Sequence, residues 1–165
     1  MFIQKDNQTA GKIDFKKQAE ELEAFIKNNI PLAGFMNICV EELTNYSIKI
    51  TAPFNWNKNH YGTVFGGSIV SLGIIAGWSL LHFRISEENI NTILMIQESK
   101  MKFFQPIHNG FEAVNNSLPV EVWEEFKEEY LKNGKAKIRL LSHLYSKGEL
   151  VATHEGLFTA LSVQI

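Results

Sequence analysis

The stretch NKNHYGTVFGGSIVS, residues 57 to 71, gathers most of the side chains in this sequence that could do chemistry. Asn57 and Asn59 carry amides that can orient a water or a carbonyl, and both also suit the turns of a polar loop. His60 offers an imidazole able to move a proton near neutral pH, though a histidine in such a loop is ordinarily a solvated side chain. Gly66 and Gly67 open an apolar run, and glycine at a helix start lets another group approach the unpaired backbone N–H groups. Ser68 and Ser71, three residues apart, share one face of that helix; Ser68 suits either catalysis or bonding at the helix start. No Asp, Glu, Lys or Arg lies anywhere from Tyr61 to Phe83, so a carboxylate that activates water must come from elsewhere. Glu98, in a later strand, is the outside candidate, set against the ordinary expectation that a strand carboxylate faces solvent.

These residues need elements to hold them. DFKKQAEELEAFIKNNIP places Phe15, Ala19, Leu22, Phe25 and Ile26 at helical spacing, with Asp14 as cap and Pro31 as stop, which predicts a helix over about 14–30. MNICVEELTNYSIKITAPF reads as a strand pair turning at Thr44 and Asn45, with Tyr46, Ile48, Ile50 and Ala52 on one face. After the polar loop, the run to Phe83 is apolar on every side, as expected of a helix buried inside a protein. It is also long enough to span a bilayer, and Gly73 and Gly77 form a G-x-x-x-G pair. Ser68, Ser71 and Ser79 interrupt it and its flanks carry no positive bias, so the buried-helix reading is preferred and no membrane span is expected. Glycines inside a helix cost roughly 1 kcal/mol each, and close approach of a sheet, a helix or a ligand would justify them.

TILMIQESKMKFFQPI shifts its apolar phase, Leu94 and Ile96 against Met101 and Phe103, which predicts a bulge around Gln97 to Ser99. Trp123, Phe126, Tyr130 and Leu131 mark a surface helix ended by Gly134, and two strands joined at Lys147-Gly148 finish the chain. The pattern is α+β: an antiparallel sheet wrapped around one long apolar helix, in a single domain over 1–165.

Composition narrows the function. The 165 residues are 45% hydrophobic and 21% charged with a net charge of -2, so no basic field points to nucleic acid or a membrane surface. The lone Cys39 excludes an internal disulfide and suggests the cytoplasm; its apolar context reads as a small buried hydrophobe. His82, His108, His143 and His154 show no ligand spacing, so neither metal nor cofactor is expected. Trp78 reads as core packing.

The string N59-x-x-G62-x-x-F65-G66-G67 resembles the N-x-x-G-x-x-H-G-G signature of hotdog-fold acyl-thioester enzymes. The longer string from Asn57 to Trp78, followed by ESKMKFFQPI, is similar to the small thioesterase-like domains found at the C-terminus of YiiD-type proteins. The resemblance implies a hotdog fold, a homodimer or dimer of dimers, and action on acyl-CoA or acyl-carrier-protein thioesters, by hydrolysis first of all. Gly66 matches the glycine whose N–H forms the oxyanion hole, with Gly67 and Ser68 completing the turn. Asn59 matches the family asparagine, Asn57 precedes it in the same loop, and Phe65, Ser71, His60 and Glu98 are candidates for contact with substrate, Glu98 across a dimer interface. Two departures stand out. Phe65 replaces the family histidine, and Ile74 stands where many hotdog thioesterases place a catalytic carboxylate. Some relatives are associated with malonyl-acyl-carrier-protein decarboxylation, which needs no base to activate water, so that reaction is the alternative. A non-catalytic acyl-thioester sensor is the other.

Overall fold

A computed structural model describes residues 14–163; residues 1–13 and 164–165 of the expected domain lie outside the described residues. Helix α1, Phe15–Asn29, starts where the Asp14 carboxylate accepts from Lys17 N at 3.2 Å, and it buries Ala19, Leu22 and Ile26. A second, short helix α2, Pro31–Phe35, begins at the expected proline stop. Strands β1, Cys39–Leu43, and β2, Ile48–Ala52, pair antiparallel around a turn whose Thr44 hydroxyl accepts from Ser47 N at 3.0 Å. Ile48, Ile50 and Ala52 point inward as their alternation requires. Tyr46 does not join them: it lies in the turn, before the pleat begins, and is exposed.

Cys39 also departs from expectation. It is exposed rather than buried, because β1 spends its inward positions on Val40 and Leu43 across a register shift. Partial burial, together with the neighbouring Glu23 carboxylate, raises its thiol pKa. That disfavours the thiolate and leaves the cysteine a poor nucleophile.

Helix α3, Gly66–Glu87, is the long apolar element, and it packs against β2 and four further strands: β3, Ile93–Phe103; β4, Phe111–Asn115; β5, Lys135–Ser146; and β6, Glu149–Leu161. Leu72, Ala76, Leu80 and Leu81 are wholly buried, each large side chain contributing roughly 1.5–3 kcal/mol. Gly73 and Gly77 exist for the sheet. A Cβ on Gly73 would come within 2.6 Å of the His154 Cβ, and one on Gly77 within 2.9 Å of the Phe158 ring. Helix α4, Val120–Asn133, covers the outside with Trp123, Phe126 and Tyr130 and ends at Gly134, whose φ of 66° is the left-handed cap. Leu131, grouped with these three in the sequence, is exposed, since it follows Tyr130 around the helix onto the solvent side.

The sheet order is β1-β2-β4-β5-β6-β3, antiparallel throughout, so β1 and β3 are its edges. Lys147 and Gly148, both at positive φ, close the β5–β6 hairpin. The predicted bulge in β3 is present, between Ile96 and Glu98. It lets Leu94 and Ile96 before it, and Met101 after it, all pack on the core despite their mismatched spacing.

Candidate active site

The loop before α3 is held from within by its own asparagines. Asn57 is buried, and its amide nitrogen donates to Met36 O at 3.0 Å and Pro53 O at 2.8 Å. Its backbone carbonyl accepts from Phe65 N at 2.7 Å, which fixes the approach to the helix. Asn59 closes the loop on itself: Oδ1 accepts from Tyr61 N at 2.9 Å and Thr63 N at 3.2 Å, and Nδ2 donates to Thr63 Oγ1 at 2.9 Å. Gly62, at φ 76°, supplies the left-handed step this turn needs. Both asparagines therefore act on the loop's shape in this structure. His60 is exposed and leans on the Tyr61 ring at 3.9 Å.

What the loop delivers is a helix start without a side-chain cap. Phe65 is the N-cap, in extended conformation, and makes no side-chain capping bond, whereas α1 is capped by Asp14. Ser68 N and Ile69 N are both taken by Phe65 O, at 2.9 and 3.2 Å. Among the described residues, the N–H groups of Gly66 and Gly67 meet no acceptor. They stand at the positive end of a 22-residue helix with no acidic residue in its first turn. The Phe65 ring folds over Gly67, where a Cβ would collide with it, while the end of the Phe103 ring lies 3.9 Å from the Cβ position of Gly66. Both rings are more than half exposed, so they frame the helix start.

Ser68 is half-buried in the first turn, and Ser71 Oγ donates back to Gly67 O at 2.7 Å. Ile74, at the position of the family carboxylate, is half-buried and lines an apolar slot with Trp78. Trp78 is only partly core: its ring is half-buried and its Nε1 donates to Leu94 O at 3.2 Å. Within one chain Glu98 does not reach the helix start. The bulge turns it onto the outer face of the sheet, where it pairs with Arg139 at 2.8 Å.

The same bulge aims the hydroxyl of Ser99, a residue still exposed on the edge strand, at the inner face, and this produces a polar pair that the sequence reading missed. Ser99 Oγ lies 2.8 Å from Nε2 of His154, a histidine only 1% exposed whose pKa is lowered by burial and so stays neutral at pH 7. Its ring has room because both facing positions are glycine: Gly73 on α3, and Gly156, whose Cβ would sit 3.1 Å from Cε1. Carrying the alternation of β3 past the predicted bulge would have put Ser99 on the inner face. Among the described residues no group of three His, Cys, Asp or Glu side chains gathers as a metal ligand set.

Solved structures share the architecture. A protein of unknown function from Chlorobaculum tepidum TLS superposes with a TM-score of 0.84 at 23% identity, covering 90% of this chain and 97% of that one. A "putative thioesterase" from Shewanella oneidensis gives 0.78 at 23% identity, covering 88% and 99%. A "probable thioesterase" from Pseudomonas aeruginosa gives 0.78 at 21%, covering 87% and 95%. At these identities the likeness is one of fold, the hotdog sheet around its long helix. The family model described as "Putative thioesterase (yiiD_Cterm)" matches residues 19–162, nearly the whole chain, and the protein belongs to that family.

Proposed function

We propose that this chain hydrolyses acyl-CoA or acyl-carrier-protein thioesters, with the substrate carbonyl received by the Gly66 and Gly67 N–H groups. The observation that carries the reading is the uncapped start of α3: two N–H groups without acceptors at the head of the helix dipole. In thioester cleavage the carbonyl oxygen gains negative charge, and an aimed N–H donor stabilises it by roughly 3 kcal/mol. In this reading the Phe65 and Phe103 rings bracket the thioester and keep water from the hole. Asn57 and Asn59 serve by fixing the loop that aims the donors. The tail of the substrate, coenzyme or carrier protein, leaves over the exposed Trp56, Tyr61 and Phe104.

A second reading is favoured by one specific observation. Among the described residues no carboxylate stands in the first turn of the helix, and Glu98 of the same chain is engaged on the outer face of the sheet. Decarboxylation of a malonyl thioester uses the same hole to hold an enolate and needs no base for water. Incubating the purified chain with acetyl, malonyl and long-chain thioesters separates the cases. Free thiol is expected; carbon dioxide with the thioester intact would replace hydrolysis by decarboxylation, and binding without either product would make the chain a sensor.

We further place the working unit as a homodimer joined through β3. This edge strand runs for 11 residues with no neighbour on its outer side among the described residues, and it exposes Ile93 and Met95. Such an edge invites pairing with a second copy. A cytoplasmic setting belongs to the same reading, since the free, exposed Cys39 is a state that a reducing compartment preserves.

A further inference from the structure

Along α3 the residues Gly67, Ser71, Ile74 and Trp78 fall four, three and four apart, so they form one stripe. This stripe is only half-buried, beside the wholly buried Leu72, Ala76 and Leu80. Ile30 and Leu32, at the α1–α2 junction, face it and make a slot of about 250 Å³ lined by Ile30, Leu32, Ser71, Ile74, Ile75 and Trp78. The one hydroxyl in that lining, on Ser71, is spent on Gly67 O.

The slot's far end is rigid. Trp78 is tied by Nε1 to Leu94 O and stacks on His82, with ring centres 4.7 Å apart; His82 stacks in turn on Phe25 at 4.5 Å. Three parallel rings thus brace the stop from α3 across to α1.

We propose that this slot holds the acyl chain of the thioester and that Trp78 sets the length it accepts. The inference rests on the reading that the carbonyl docks at Gly66 and Gly67. The lining suits hydrocarbon, since its one hydroxyl is already bonded and the stripe leads into it from Gly67. A peptide would bring N–H and C=O groups that this lining cannot satisfy. Two measures agree on how much of it the slot holds. At 1.5 Å per residue, Ser71 to Trp78 spans about 10 Å, the reach of roughly eight methylenes at about 1.25 Å each. The volume holds roughly eight groups the size of a water molecule, and a methylene is of similar size. Gly67 lies about 6 Å before Ser71, so about four more carbons join the carbonyl to the slot, and the favoured chain is about twelve carbons.

The test is calorimetric binding of S-alkyl pantetheine thioethers, about two to eighteen carbons long, to the full chain. Pantetheine is the part shared by coenzyme and carrier protein, and a thioether cannot turn over, so the result does not depend on which reaction follows. Affinity is expected to rise roughly fourfold per methylene and to level off near about twelve carbons. In Trp78→Ala the plateau should move two to four carbons longer. In Ile74→Trp, which fills the slot without touching the Trp78 bond, it should stop by about four carbons. An affinity that ignores chain length, or the same plateau in all three proteins, overturns the slot. If Trp78→Ala does not fold, Trp78→Leu and Ile74→Trp decide the matter. Product assays with the acyl thioesters above judge the reaction separately: turnover with a flat thioether series sinks this inference alone, and a stepped series without thiol release sinks hydrolysis alone.

Discussion

Replacing Gly66 by alanine and then by valine puts the oxyanion-hole reading at risk without asking any side chain to be removed. The Cβ built on Gly66 meets only the end of the Phe103 ring, at 3.9 Å, an ordinary contact. Alanine is therefore accommodated where it stands. It should also stabilise the helix, by about 0.5–1 kcal/mol relative to glycine, because the unfolded chain loses freedom it no longer has to give up. For a domain of this size that is a rise of about 1–4 °C in Tm. In the proposed docking the same methyl stands in the path of the carbonyl to the N–H, and valine extends the obstruction by two more carbons. Losing one aimed donor is worth about 2.7–4 kcal/mol, or 10²–10³ in kcat. Alanine should show part of that loss and valine all of it, with KM changing far less, since the donor acts mainly in the transition state. The assay is thiol release from an acyl thioester, with Tm and sedimentation as controls for fold and assembly. Valine activity within a factor of three of the parent, in a folded protein, would show that the thioester docks elsewhere.

The loop makes a related claim. Asn59→Ala should lose about 1–3 kcal/mol of stability together with activity, because Tyr61 N and Thr63 N lose their acceptor, whereas Asn59→Asp keeps both and should unfold at a higher urea concentration than the alanine variant. The pKa values of His82 and His154 are lowered, each chiefly by burial. The unfolded chain therefore binds protons first: stability is full above about pH 6.5 and falls as the pH drops below it. Urea midpoints at pH 7.5 and 5.5 should show that drop, and His154→Gln should make it shallower; an equal drop would refer the acid sensitivity to other groups. The proposed dimer should sediment as such at micromolar concentration, and Met95→Lys with Ile93→Lys should convert it to monomer; an unchanged dimer would move the interface away from β3.

Elements with a period of their own could be read directly from the sequence. The capped first helix, the β2 alternation, the β3 bulge and the Lys147-Gly148 turn all depend on neighbours within a few residues, and each is found where its pattern put it. The fold and the glycine-rich helix start were legible for the same reason. Cys39 and Tyr46 were misplaced because their exposure depends on where a strand begins and which way its first residue faces. Long-range contacts were beyond reach. Ser99 and His154 lie 55 residues apart in sequence, and only the pairing of β3 with β6 makes them neighbours. The two asparagines were visible as residues, but an amide that closes its own loop and one that faces a substrate share the same letter.

Gly73 and His154 fill a single volume from opposite layers of the protein, as do Gly77 and Phe158. The consequence is evolutionary. A methyl gained on the helix at either position is tolerable only after the strand has given up atoms, so neither position can drift by itself. Accepted changes would have to arrive in a fixed order, strand first and helix second, each passing through an intermediate with a void in place of a clash. Two notches one helical turn apart also key the rotation of α3 to the sheet. A lineage that altered both would be free to turn the helix, and with it the direction in which Gly66 and Gly67 present their N–H groups.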